Sequence, residues 1–239
     1  MSNSLLKSIT VASLLAVSSA TAKPEGDTLP PVESQESTPT EIKKLTEQDY
    51  IEVARELGVE VAAIKAVVDI ETGQTHTGFY APGKPLINFD VSIYRSVAPR
   101  HGVNLTEAKN KFPEIFRGPD VKKYGSNQKA QQARLDAAIQ INEDAALESV
   151  FWGMFQVGGF NWKLCGAESV RDFVDKMTRS ERDQLELFAA YCKSRGLVKY
   201  IKNKDWTSFA YRYNGPGYKK YSYDTRMAKA YEKFKKQEK

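Results

Sequence analysis

Apolar side chains between residues 46 and 239 recur mostly at helical spacing. The pattern predicts helices at 47–57, 59–73, 131–142, 144–150, 169–177, 181–194, 206–213 and 223–234. Residues 86–94 alternate between apolar and polar instead, which predicts a strand in a hairpin. Residues 99–127 show no clear period, and we expect loops there. The fold is therefore expected to be mainly α, with a small sheet or hairpin near residues 86–94.

The predicted helix at 59–73 carries a glutamate in phase with its apolar face. Counted from Ile64, Val67 and Val68 follow at i+3 and i+4, and Glu71 follows at i+7. Gly73 favours a helix end there, which puts Glu71 in the last turn. A carboxyl group among apolar neighbours has a raised pKa and is suited to donate a proton near neutral pH. A glutamate that points to water from a frayed helix end fits the same pattern, so both interpretations stay open.

Two irregular stretches interrupt the helical half of the chain. Residues 151–159 are almost wholly apolar apart from Gln156, whose amide needs either backbone partners or a polar ligand if it is buried. Residues 211–218 end a helix in a Gly/Pro turn that is crowded with aromatic rings. That composition suits a carbohydrate groove, although helix termination by itself explains the glycines.

The first 44 residues have a different composition from the rest of the chain. Residues 1–22 combine Lys7, an apolar run from Ile9 to Val17 and a small-residue pattern at Ala20 to Ala22, which indicates a secretory signal. The run is too short to span a membrane. Residues 23–44 are polar and rich in Pro, Ser, Thr and Glu, which predicts a disordered linker. We therefore expect one domain over residues 45–239 in a periplasmic or extracellular protein.

The chain has a formal net charge of +5, and cleavage after Ala22 removes one lysine and no acid. Basic residues are concentrated in the tail at 219–239, which favours either an anionic surface outside the cytoplasm or a solvated helix face. Neither nucleic-acid binding nor membrane insertion is expected, and the protein is expected to be a monomer.

The cysteines and histidines limit the candidate chemistry. Cys165 and Cys192 are the only cysteines, and in an oxidising compartment they either form a disulfide or pack as free buried thiols. His76 and His101 are too few and too far apart to suggest a metal site. We expect neither a metal nor another cofactor.

Three motifs gain meaning from their order along the chain. They are Glu71 at a helix end, Trp152-Gly153 with Gln156, and the string from Tyr213 to Tyr218, Tyr-Asn-Gly-Pro-Gly-Tyr. With these motifs and the segment from Leu86 to Asp90, the chain from about Thr46 onward resembles the N-acetylmuramidase domain of phage endolysins and secreted bacterial muramidases. That domain is similar to goose-type lysozymes and soluble lytic transglycosylases. Two positions depart from the family pattern: Thr72 stands where Ser is common, and Asp90 stands where Glu is usual.

The resemblance implies a lysozyme-like fold that cleaves the β-1,4 bond between N-acetylmuramic acid and N-acetylglucosamine in peptidoglycan. Glu71 matches the catalytic acid. Asp90 is the candidate for a second carboxylate that activates water or stabilises the cation, and a local hydrogen-bonding role is the alternative. The resemblance also implies that Trp152, Tyr213 and Asn214 bind the glycan and that Gln156 either binds it or orients the acid. Two alternatives stay open, namely a lytic transglycosylase that uses the same glutamate and a non-catalytic peptidoglycan-binding module.

Overall fold

The computed structural model describes residues 41–73, 76–117 and 127–238. The predicted signal and most of the predicted linker lie outside the described residues. The helices are α1 (Glu47–Leu57), α2 (Val61–Glu71), α3 (Val91–Val97), α4 (Leu105–Lys111), α5 (Gln128–Ile139), α6 (Glu143–Glu148), α7 (Val170–Arg179), α8 (Glu181–Ser194), α9 (Val198–Lys202), α10 (Trp206–Asn214) and α11 (Tyr223–Gln237). The strands are β1 (Phe79–Ala81), β2 (Lys84–Pro85), β3 (Ile87–Phe89), β4 (Val150–Trp152) and β5 (Val157–Gly158). The described chain is therefore mainly helical, as predicted.

Helix α1 illustrates how closely local sequence sets the helix ends. Thr46 caps it: the Thr46 side chain accepts a hydrogen bond from the Asp49 amide, and the Asp49 side chain accepts one from the Thr46 amide. This reciprocal pair satisfies two backbone donors at the helix start. Gly58 then ends the helix in the left-handed region at φ 65°. The predicted bounds of α1 and α8 are confirmed residue for residue.

Helix α2 runs through the middle of the domain, and α11 packs along it in the opposite direction. Seven of its side chains are buried: Ala62, Ala63, Ile64, Ala66, Val67, Val68 and Ile70. The Ala62 amide donates to the carboxylate of Glu238, just beyond the end of α11, at 2.8 Å. A carboxylate there satisfies an unpaired amide and complements the helix dipole. Because α11 is held antiparallel, its first turn lies beside the last turn of α2.

Strands β3, β4 and β5 form a small antiparallel sheet in that order. Ile87 pairs with Trp152 and Phe151 pairs with Gly158. The free edge of β3 is covered by α5, because the Ile87 and Phe89 amides donate to the side chains of Gln128 and Gln131, each at 2.9 Å. These amide side chains replace a missing strand and fix the sheet against α5.

The strand prediction for residues 86–94 was correct only for Ile87–Phe89. Asp90 ends the strand, because its Oδ1 accepts from the amides of Ser92 and Ile93 at 2.7 and 3.0 Å and so starts α3. Tyr94 and Val97 are then buried on one face of α3, a spacing that a strand does not give.

One further expectation needs correction. Residues 105–111 form α4 rather than a loop, because the Asn104 side chain accepts from two amides of its first turn. Strands β1 and β2 pair in an antiparallel hairpin at residues 79–85.

Cys165 and Cys192 are both free and both buried. The structure therefore agrees with the interpretation that the two cysteines pack as free buried thiols rather than form a disulfide. Burial raises the pKa of Cys165 to about 12, so this thiol stays protonated at neutral pH.

Candidate active site

A groove of about 930 Å³ opens where the end of α2, the β4–β5 hairpin, the end of α10 and the start of α11 meet. Its volume is at the upper end of the range for ligand pockets. Its described lining consists of Ile70, Glu71, Gly73, Asn88, Phe151, Phe155, Gln156, Val157, Gly158, Phe160, Asn161, Tyr191, Arg195, Tyr213, Asn214, Tyr223 and Arg226.

Glu71 is the last residue of α2 and faces this groove. The residue that follows it, Thr72, is buried, and its hydroxyl donates to the Val68 carbonyl at 2.7 Å. That bond holds the end of the helix, and Gly73 then leaves it at φ 61°. The prediction that Glu71 lies in the last turn of this helix is confirmed.

The Glu71 carboxyl is withdrawn from bulk water although it opens into the groove. Its Oε1 accepts a hydrogen bond from Asn214 Nδ2 at 2.9 Å. Burial raises the pKa of Glu71 to about 7, against the Asn214 hydrogen bond and the positive charge of Arg226, which both lower it. Desolvation is the larger effect, so near neutral pH the group exists in both protonated and ionised forms.

Helix α10 brings Tyr213 and Asn214 to the groove. The Tyr213 ring stacks on Phe209 with centroids 5.7 Å apart, and its hydroxyl donates to the Phe155 carbonyl at 2.8 Å. This anchored ring fixes the end of α10, so that Asn214 reaches Glu71. The helix ends at Gly215, whose φ of 77° favours glycine.

Gln156 lies in the turn between β4 and β5 and lines the groove, in the left-handed region at φ 48°. A residue other than glycine rarely adopts this conformation, and such backbone strain clusters at functional sites. Its side-chain amide donates to the Gly153 carbonyl at 2.9 Å, which holds the side chain in place. The structure therefore brings Glu71, Gln156, Tyr213 and Asn214 to one groove.

Trp152 does not join them. It is 3% exposed, and its indole N–H donates to the Leu147 carbonyl at 3.0 Å. Successive residues of a strand point to opposite faces, so its neighbour Phe151 lines the groove instead. Trp152 is therefore a residue of the core, and the expectation that it binds substrate needs correction.

Asp90 is not among the residues that line the groove. Its Oδ1 accepts from the Ser92 hydroxyl at 2.5 Å in addition to the two amides of α3. These three bonds give Asp90 a role as a helix cap.

Sequence reasoning missed several residues of the lining. Phe151 and Phe160 form an edge-to-face pair with centroids 6.1 Å apart, and Phe160 is 40% exposed. A Cβ atom at Gly158 would collide with the Phe160 ring, so this glycine makes room for it. Tyr191, Arg195, Tyr223 and Arg226 also line the groove. The i, i+3 spacing of Tyr223 and Arg226, a few residues after the aromatic turn, is the signal that could have indicated the last two.

Within residues 41–73, 76–117 and 127–238, no three His, Cys, Asp or Glu side chains are grouped so as to hold a metal ion. The helices in the same ranges are all too short or too polar to cross a membrane.

Comparisons with a family and with a solved structure each found a match. A family described as N-acetylmuramidase matches residues 60–235. Among solved structures, the chain is similar to the crystal structure of the Burkholderia AP3 phage endolysin, with a TM-score of 0.70 and 32% sequence identity. The alignment covers 82% of this chain and 73% of the endolysin chain. A search of curated proteins found no match.

Proposed function

We propose that this chain, which belongs to the N-acetylmuramidase family, cleaves the β-1,4 bond between N-acetylmuramic acid and N-acetylglucosamine with Glu71 as the general acid. The family match and the likeness to an endolysin make the protein a glycoside hydrolase that acts on peptidoglycan. The observation that carries the finer assignment is the position of Glu71, a carboxyl group with a raised pKa at the wall of an aromatic groove.

In this mechanism, protonated Glu71 donates its proton to the glycosidic oxygen while an oxocarbenium-like centre develops on the sugar. A pKa of about 7 suits this role, because a general acid works best when its pKa lies near the working pH. Asn214 donates a hydrogen bond to Glu71 Oε1 and so fixes the direction of the carboxyl group. The same bond stabilises the carboxylate that remains after proton transfer.

The second carboxylate predicted at Asp90 has no support from the groove. Among the described lining residues Glu71 is the one carboxylic acid, and Asp90 is bonded as a helix cap. This observation favours a second candidate reaction, lytic transglycosylation. There Glu71 acts first as the acid and then as the base, and a hydroxyl of the sugar takes the place of water.

Glycan binding is proposed for the residues around Glu71. The exposed face of Phe160, held by Phe151, offers an apolar surface to a sugar ring. Gln156 and Asn214 add amide groups, which match the hydroxyl and acetamido groups of the sugars. Tyr213 supports this wall through its bond to Phe155.

The test is digestion of purified peptidoglycan by the wild-type protein and by Glu71→Gln, with mass spectrometry of the released fragments. We expect products with reducing-end N-acetylmuramic acid from the wild type and none from Glu71→Gln. Glu232→Gln, an exposed glutamate on α11, is the matched control and should retain activity. Anhydro-muramic products would assign the transglycosylase reaction, and an active Glu71→Gln variant would refute Glu71 as the acid.

We further propose that residues 1–22 direct export, so that the enzyme meets peptidoglycan from the periplasmic or extracellular side. N-terminal sequencing of the secreted protein should begin at Lys23.

A further inference from the structure

Two arginines, Arg195 and Arg226, line the same groove as Glu71. Arg195 directly follows α8, and Arg226 lies near the start of α11. The rest of the described lining, apart from Glu71, consists of apolar, aromatic and amide-bearing residues and glycines. The groove therefore presents two positive charges to a ligand, whereas N-acetylglucosamine offers only neutral groups.

Neither guanidinium has a carboxylate partner within 4.0 Å among the described residues. Arg182, by contrast, pairs with Asp49, Glu52 and Glu186 at 2.8 to 3.1 Å. The guanidinium of Arg226 lies 5.8 Å from the centre of the Tyr223 ring, and both residues line the groove. Arg195 lies close enough to Tyr191 to oppose the rise in its pKa that burial causes. Tyrosines therefore flank both arginines, and neither forms a close ion pair with a described acid, although the charge of Arg226 acts on Glu71.

The position of Arg226 is not explained by the stability of its own helix. A cation near the first turn of a helix meets the positive end of the helix dipole, which is unfavourable. Its charge also opposes the raised pKa that Glu71 needs in order to donate a proton. The positive charge of Arg226 is thus unfavourable both for its own helix and for the protonated form of Glu71. Its position is better explained by a ligand that the free protein lacks.

We infer that Arg195 and Arg226 bind carboxylates of the peptidoglycan strand, so that the enzyme selects peptidoglycan over neutral N-acetylglucosamine polymers. A guanidinium group binds a carboxylate through two parallel hydrogen bonds, a geometry that the ammonium group of a lysine does not offer. Peptidoglycan offers this chemistry in two places, the lactyl group of muramic acid without a stem peptide and the free carboxylates of the stem peptide. This inference rests on the proposed function, because it places the glycan in the groove of Glu71.

The test measures kcat and KM of the full chain and of three variants, Arg195→Gln, Arg226→Gln and the double variant, at pH 5. At that pH Glu71 stays protonated, so a change in its pKa does not affect the comparison. The substrates are soluble strands with stem peptides, strands stripped of their stems by an amidase, and stem-bearing strands with carboxylates converted to amides. The matched control is Arg212→Gln, an exposed arginine 5.2 Å from the Tyr200 ring that is not among the groove residues.

We expect the double variant to lose about tenfold or more in kcat/KM on a carboxylate-bearing strand, mainly through KM. The loss on the amidated strand should be several-fold smaller, and Arg212→Gln should show no such difference. A loss confined to stripped strands identifies the lactyl carboxylate, and a loss confined to stem-bearing strands identifies the peptide. Equal losses on all three substrates, or no loss, would overturn the inference.

Glu71→Gln is measured in parallel to separate this inference from the proposed function. Activity retained by Glu71→Gln would refute the proposed acid. If Glu71→Gln loses activity while the double arginine variant keeps unchanged activity on every substrate, the proposed carboxylate site is overturned. The proposed acid then still stands.

Discussion

Replacing Glu71 by glutamine should abolish activity and at the same time stabilise the fold, in a way that depends on pH. The pKa of Glu71 is raised from 4.5 to about 7 in the folded protein because burial disfavours its charged form. Between these two values the folded protein binds more protons at this site than the unfolded chain does. Stability therefore falls as the pH rises from 4.5 to 7, and the full cost is present above pH 7.

The size of this cost follows from the difference between the two pKa values. Each pKa unit corresponds to 1.36 kcal/mol, which sets an upper limit of about 3 kcal/mol. Glu71 lines an open groove and is only partly buried, so solvent screens part of its charge. We therefore expect a gain of roughly 1–3 kcal/mol for Glu71→Gln at pH 8. Glutamine has nearly the same shape and keeps an oxygen for Asn214, so little gain is expected at pH 4.

Urea unfolding of wild type and Glu71→Gln at pH 4 and pH 8 measures this difference directly, with m-values compared to confirm that the unfolding transition is unchanged. Glu232→Gln again serves as the exposed control, and it should show no comparable gain. A gain of the same size at both pH values would mean that packing rather than ionisation is responsible. A loss of stability at pH 8 would refute the argument from desolvation.

Three further predictions concern Asn214, Asp90 and Glu60. Asn214→Ala removes a bond that lowers the pKa of Glu71, so the alkaline limb of the kcat/KM profile should move up by about one pH unit, and a downward shift would contradict this. Asp90→Asn should keep turnover. Asp90→Ala should lower the free energy of unfolding by about 1 kcal/mol, because the Asp90 side chain caps α3. Loss of turnover in Asp90→Asn would instead make the residue catalytic. Glu60 has a pKa lowered to about 2 by hydrogen bonds from two lysines and a tyrosine, so its stabilising contribution is present above pH 4.5 and is lost as the pH falls to 2. Glu60→Gln should therefore destabilise the protein at pH 7 but not at pH 2, as measured by thermal unfolding, and equal effects at both would contradict the charge argument.

Much of the helical framework can be predicted from the chain alone, because its signals are local. Thr46 and Asp49 set the start of α1 and Gly58 sets its end, each through contacts with residues a few positions away. The phase of Glu71 against Ile64 and Val67 likewise lies within two helical turns. Such patterns need no knowledge of the rest of the molecule.

Local patterns were ambiguous where two structures satisfy the same residues. The alternation at 86–94 fits a strand, but the capping bonds of Asp90 start a helix after Phe89. Trp152 and Phe151 are adjacent aromatic residues, and only the orientation of β4 in the sheet decides which of them is buried.

The sequence by itself determined the helical class, the main helix ends and the placing of one carboxyl group on an apolar face. Only the tertiary structure decided what surrounds that group. Asn214 donates to Glu71 across 143 residues, and Arg226 reaches the groove because α11 runs antiparallel to α2. Burial by side chains from distant parts of the chain raises the pKa of Glu71 despite these two contacts, and Arg226 adds positive charge to the groove. Desolvation and Coulomb interactions depend on distance in space rather than on separation along the chain.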